Sequence, residues 1–175
     1  FGDKYPRKND SSSLGDWVVD KNKLPNGIEG LLSDAKKHGV KFGIWIEPEM
    51  ANTTSELYEK HPDWVLKASE RDVVLGRGGT QVVLDLANPA VQDFVFGVVD
   101  NLMTSYPEID YIKWDANMSV QNHGSQYLTK DNQSHMYIEF HRGFEKICQR
   151  IRAKYPDLTI QACASGGGRA NYGVL

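Results

Sequence analysis

A chain of 175 residues, 25% charged and 40% hydrophobic, has the make-up of one soluble globular domain, which excludes a disordered tail, a collagen and a coiled coil. Lys plus Arg number 20 and Asp plus Glu 23, a net charge of −3, so neither nucleic acid nor an anionic membrane surface is an expected partner. Apolar runs are a handful of residues long, far short of the ~20 needed to span a bilayer. The spacing from Asn26 to His38 predicts a helix, with Ile28, Leu31, Leu32 and Ala35 on one face and Gly39 where a C-cap belongs. Val40–Ile46 reads as a strand ending in Glu47-Pro48-Glu49, and Ser55–Lys60 as a short helix. Gln81–Leu86 reads as the next strand. Asn88-Pro89 then opens a helix to about Tyr106, with Pro at its first position. A strand over Ile109–Asp115, a helix over Ser134–Lys154 and a strand over Leu158–Cys163 complete the series.

Strands alternating with helices predict parallel β/α units. No GxGxxG or Walker sequence follows the first strand, which argues against a doubly wound nucleotide fold. Polar groups gather instead at the C-terminal strand ends: Glu47 and Glu49, Asp85, Lys113 and Asp115, and Cys163 to Arg169. That is the layout of a (β/α)8 barrel, whose catalytic loops follow the strands and which needs about 250 residues to close. The expectation is an α/β chain forming about half a (β/α)8 TIM barrel. Its opening at Phe1, with no Met and no signal peptide, reads as a piece of a longer protein.

Three segments carry candidate chemistry. In Lys113-Trp114-Asp115-Ala116-Asn117, strand alternation puts Lys113, Asp115 and Asn117 on one side. A lysine so placed would lower the pKa of Asp115 and keep it ionised, as a glycosidase nucleophile requires. A buried ion pair without function is the alternative reading. In Gly43–Met50, Trp45 could stack on a sugar face or fill the core. Glu47 and Glu49 are acid/base candidates, read here in preference as acceptors that brace a loop. In Cys163–Arg169 three glycines permit positive φ and a close backbone approach to a ligand, or form a plain turn. Cys148 and Cys163 make neither a disulfide framework nor a zinc spacing, so a reducing, cytoplasmic setting and no metal or cofactor are expected. Sequons at Asn9, Asn52, Asn117 and Asn132 are read as chance matches.

These segments, with Leu14-Gly15-Asp16-Trp17, His61-Pro62-Asp63-Trp64 and Gln81-Val82-Val83-Leu84-Asp85, occur in an order that resembles the α-galactosidases of glycoside hydrolase family 36, the melibiases. The resemblance spans nearly the whole chain and makes residues 1–175 part of a (β/α)8 catalytic domain, strands two to five of the barrel. It implies hydrolysis of terminal α-D-galactosyl residues, as in melibiose or raffinose, with retention and without a cofactor. Asp115 would be the nucleophile that forms the galactosyl-enzyme. Lys113 and Asn117 would bind sugar hydroxyls, and Trp45 would line the −1 subsite. Cys163, with the backbone around Ser165 and Gly166, would wall the sugar's 2-position. Arg77 would be the counterpart of an arginine that precedes the Gln-x-Val-Leu-Asp strand and contacts substrate. Phe1 resembles the Phe of a Gly-Trp-Phe motif, which places the family's O4/O6-binding aspartate pair before this chain and its acid/base aspartate after Leu175. Rival readings are an α-N-acetylgalactosaminidase, which Cys163 would disfavour by size, a raffinose-synthase-like galactosyltransferase, and a non-catalytic sugar-binding module. Open strand edges would favour self-association of this chain by itself, and a homo-oligomer is a separate expectation for the whole protein.

Overall fold

The computed structural model of the chain describes residues 7–121, 124–169 and 172–173. Phe1 therefore lies outside the described residues. Helix α1 (Gly27–Lys37) is stopped by Gly39, whose φ of 66° suits glycine. The amide of Gly39 donates to Lys36 O and that of Val40 to Ala35 O, both at 3.1 Å, which is the Schellman pattern. Strand β1 (Phe42–Ile46) follows, then a short strand β2 (Met50–Asn52) and helix α2 (Glu56–Lys60). Two side chains cap α2: Ser55 Oγ accepts from the Tyr58 amide, and the buried Asp16 carboxylate accepts from the amides of Glu56 and Leu57.

Strand β3 (Gln81–Val83) leads into α3 (Pro89–Ser105), whose N-cap Asn88 accepts from the Ala90 amide at 3.0 Å. Strand β4 (Ile109–Trp114), helix α4 (Met136–Lys154) and strand β5 (Thr159–Ala162) complete the order. Each of these elements falls within a few residues of its expected position.

The pairing differs from expectation in one respect. Strands β1, β4 and β5 form a parallel sheet in the order β1-β4-β5. Gln81–Val83 does not join it; β3 pairs antiparallel with β2, Met50 opposite Val83 and Asn52 opposite Gln81. Among the described residues the parallel sheet therefore has three strands where four were expected. The physical reason is that the chain leaving β1 turns at Glu47-Pro48-Glu49 and meets the later segment at once: Leu84 N donates to Glu49 O at 2.9 Å. A short Val-rich run is equally suited to either partner. The β2/β3 pair is thus an insertion between β1 and α3, above the end of β1.

One face of the parallel sheet is covered. Ile46, Ile112 and Trp114 are buried there with Val91, Val95 and Val99 of α3 and Phe140, Phe144 and Ile147 of α4. Where α4 crosses Leu86, Gly143 allows the approach, because a Cβ at that position would sit 1.9 Å from Leu86 O. The opposite face carries Gly43 and Trp45 of β1, Tyr111 and Lys113 of β4, and Thr159 and Gln161 of β5, all exposed or half-buried. No helix of the described residues is long and apolar enough to cross a membrane.

Candidate active site

Parallel register aligns Trp45, Lys113 and Gln161 in one row across the sheet's open face. Asp115 follows on that face, one step beyond the last residue of β4. Its amide donates to Ile46 O at 2.8 Å, and the Cys163 amide donates to Trp114 O at 2.7 Å, so both neighbouring strands hold the backbone around it. Asp115 is only 7% exposed. Trp45 Nε1 donates to its Oδ2 at 3.2 Å, and the Ala116 amide to its Oδ1 at 3.0 Å.

Burial by itself would raise the Asp115 pKa. Hydrogen bonds from the side chains of Asn117, Trp45 and Cys163 and from the Ala116 amide outweigh it and bring the carboxyl down to about 2. The expectation that Lys113 would do this is corrected: donors, rather than a neighbouring charge, are foremost in lowering it. Lys113 is half-buried two residues earlier on the same face.

Asn117 is the hub of the cluster. Its amide N–H donates to Glu47 Oε1 at 2.6 Å, and its Oδ1 accepts from Ser165 Oγ at 3.1 Å. The same side chain also reaches both the Glu47 and Asp115 carboxyls. Burial pushes Glu47 up, against the lowering effect of the Asn117 bonds, and the nearby Asp115 charge pushes the same way. Ser165 and Gly166 lie in a tight turn with φ of 49° and 107°, closed by the Ala164 amide donating to Gly166 O. Cys163, 8% exposed, begins that loop beside Asp115.

Trp45, Lys113, Asp115, Asn117, Cys163, Ser165 and Gly166 thus share one end of the sheet. Arg77 is not gathered with them. It sits on the exposed turn before β3, with its guanidinium paired to Asp10 at 3.1 Å. The other acids of the strand ends act as braces. Glu49 accepts from Trp114 Nε1 at 2.7 Å and pairs with Arg169. Asp85 accepts from Ser125 Oγ and from the Ala87 amide, and burial raises its pKa. Arg169 belongs to the Cys163–Arg169 segment singled out in the sequence, but its pairing with Glu49 carries no signal there. Among the described residues no three His, Cys, Asp or Glu side chains gather as a metal site.

A family model described as Melibiase matches residues 1–175. The chain belongs to the melibiase family. Among its relatives, alpha-galactosidase 2 of Pediococcus pentosaceus is 40% identical over 169 residues, which cover 97% of this chain and 23% of that protein. The alpha-galactosidase of Lactobacillus brevis superposes with a TM-score of 0.87 at 38% identity, over 94% of this chain and 22% of its own. A variant of Geobacillus stearothermophilus AgaA, a GH36 alpha-galactosidase solved in complex with stachyose, superposes with a TM-score of 0.88 at 36% identity over 99% of this chain and 23% of its own. This melibiase chain accordingly shares an α/β fold of helices and parallel strands with GH36 structures. It spans under a quarter of the length of each of these three relatives.

Proposed function

We propose that this chain carries the nucleophile of a retaining α-galactosidase, and that Asp115 is that nucleophile. The observation that carries the reading is a nearly buried carboxylate held at about 2 by hydrogen bonds, at the C-terminal end of a central parallel strand in a melibiase. A carboxylate ionised at every working pH and fixed by donors on both oxygens is suited to attack an anomeric carbon. In this reading Asp115 displaces the aglycone to form a β-linked galactosyl ester, and water then hydrolyses the ester to release α-galactose. Trp45 offers its half-exposed indole, 38% exposed, to the sugar's apolar face. Lys113 and Asn117 bind hydroxyls beside it. Cys163 and the Ser165–Gly166 turn stand at the 2-position, where a thiol leaves room for a hydroxyl and crowds an acetamido group. The preferred substrates are therefore terminal α-galactosides such as those of raffinose and stachyose.

Two features support placing residues 1–175 within a (β/α)8 barrel. The face of the parallel sheet opposite α3 and α4 is half-exposed, whereas parallel strands are ordinarily buried on both faces. Strands β1 and β5 also stand at the sheet's edges. A closed barrel would bury that face and pair those edges. The acid/base partner is assigned outside this chain in this reading, and the roles of Glu47, Glu49 and Asp85 are those of acceptors that brace the loops after the strands.

The test uses the whole protein with an aryl α-galactoside. D115A should lower turnover by several powers of ten. Azide should restore part of it, yielding β-galactosyl azide as the small anion takes the carboxylate's place. Near-parental turnover of D115A would refute the assignment.

A further inference from the structure

The tip of the Cys163–Arg169 loop has open space where side chains would stand. A Cβ at Gly166 or Gly167 would meet nothing within 4 Å. The loop's position is therefore set by its two ends. At the near end, the Cys163 amide is tied to Trp114 O and Ser165 Oγ to Asn117 Oδ1. At the far end stands Arg169.

Arg169 is built into the core. Its side chain is 9% exposed and that of its partner Glu49 is 4% exposed. The same Glu49 Oε1 accepts from Trp114 Nε1. The guanidinium lies 4.4 Å from the centroid of the Phe144 ring, and Phe144 stands edge-on to Trp114 at 5.5 Å. Glu49, Trp114, Phe144 and Arg169 thus form a closed ring. It joins the loop after β1, the strand that leads to Asp115, helix α4 and the glycine-rich loop. The guanidinium pairs with Glu49 through Nη1 and lies over the Phe144 ring, while its Nε is buried without a partner among the described residues; a lysine ammonium has no planar face to lie over that ring.

We propose that Arg169 is a positioning residue: its buried ion pair with Glu49 holds the glycine-rich loop, and so Cys163 and Ser165, in register with Asp115. The proposal rests on the α-galactosidase reading only for its link to turnover. Stability does not call for a charged pair here, because buried ion pairs are commonly replaceable by uncharged groups of similar volume. The contribution of Arg169 is instead to tie down the far end of a loop whose near end is held at Trp114 and Asn117.

The experiment compares R169M and E49Q/R169M with the parent in the whole protein. In the double variant no buried charge is left unpaired, and the Gln oxygen can still accept from Trp114 Nε1. Three quantities are read: the rate of Cys163 alkylation by iodoacetamide mapped by peptide mass, kcat and KM on an aryl α-galactoside, and Tm. Added glutathione in the same reaction normalises the rates, because the Cys148 thiol, pushed up to about 11 by burial, also feels the charges of Glu49 and Arg169.

Cys163 should alkylate about tenfold faster in both variants as the loop loosens. A displacement of about 1 Å should lower kcat/KM by about 10²-fold, mainly through kcat, while the double variant keeps a Tm near the parent's. R169K should not restore the rate. Alkylation and kcat/KM both within threefold of the parent in the folded double variant would overturn the proposal. Faster alkylation with unchanged kcat/KM would overturn its link to turnover. Should the parent prove to hydrolyse no α-galactoside, the alkylation arm still decides for or against the anchor. Failure of both variants to fold would make the pair a general stabiliser and overturn the assignment.

Discussion

Replacing Trp45 by Phe tests how Asp115 is kept ionised. The carboxyl stands at about 2 against an ordinary value of 3.8, with burial opposing and four donors favouring the charge. Phe keeps most of the ring and hence most of the burial, and removes one donor. A hydrogen bond to a charged group contributes about 1.5–3 kcal/mol. The Trp45 contact, at 3.2 Å, is longer than a strong charge-assisted bond, so the low end applies. At about 1.4 kcal/mol per unit, W45F should raise the Asp115 pKa by about one unit. The sign follows from linkage. A carboxyl lowered in the folded state stabilises the fold above pH 3.8, and that contribution is lost as pH falls from 3.8 through about 2. W45F should therefore move the acid limb of kcat/KM upward by about one unit in the whole protein. It should also cost about 1 kcal/mol of unfolding free energy at pH 6, a deficit that shrinks toward pH 2. The assays are a pH profile with an aryl α-galactoside and urea unfolding at several pH values. An acid limb that stays put or moves downward would refute the hydrogen-bond account.

Three further outcomes are expected. G143A should destabilise the fold by about 2 kcal/mol or more: overpacking against Leu86 O outweighs the gain of about 1 kcal/mol in helix propensity, and a variant as stable in urea as the parent would contradict the close approach. C163G should raise turnover of α-N-acetylgalactosaminides relative to α-galactosides in the whole protein, and an unchanged ratio would remove Cys163 from the specificity argument. The 175-residue chain by itself should not turn over an aryl α-galactoside, because loss of general acid–base help alone forfeits about 10²–10⁴-fold in rate; activity abolished by E47Q, E49Q or D85N would relocate the acid/base partner into this chain.

The elements that punctuate themselves were legible in the sequence. Asn88-Pro89 opened α3 and Gly39 closed α1, because capping and positive φ are local properties of a few residues. The direction of β3 was not legible. Gln81-Val82-Val83 carries no mark of whether its partner is Met50–Asn52 or a barrel neighbour, and that choice is made by a turn some thirty residues earlier. The candidate site was legible as residue types at strand ends, but its electrostatics were not. Spacing alone suggested Lys113 as the charge that lowers Asp115. The donors that do so come from Trp45, Cys163, Ala116 and Asn117, two of them on neighbouring strands or the loops after them. Arg169 needed the fold most of all, since its partner is 120 residues away in the chain.

Alternation along one strand explains why site and core cannot vary independently here. Successive side chains of a strand point to opposite faces. Lys113 and Asp115 face the open side of the sheet, and Trp114 between them is fully buried on the helix side. Trp114 is fixed by Glu49 on its indole nitrogen and by Phe144 on its ring. Any shift that releases Trp114 rotates the peptide bonds on both sides of it, and so redirects the Asp115 carboxylate. The neighbouring strands respond to the same shift, because Ile46 O receives the Asp115 amide and Trp114 O receives the Cys163 amide. Glu47 and Glu49, on either side of Pro48, divide between the two faces in the same way. Glu47 binds the Asn117 amide beside Asp115, and Glu49 closes the ring behind it. The Glu-Pro-Glu turn thus links the Asp115 cluster on one face to the packing on the other. A change at Trp114 or Glu49 is expected to act on turnover through the position of Asp115, with no contact to the sugar at all.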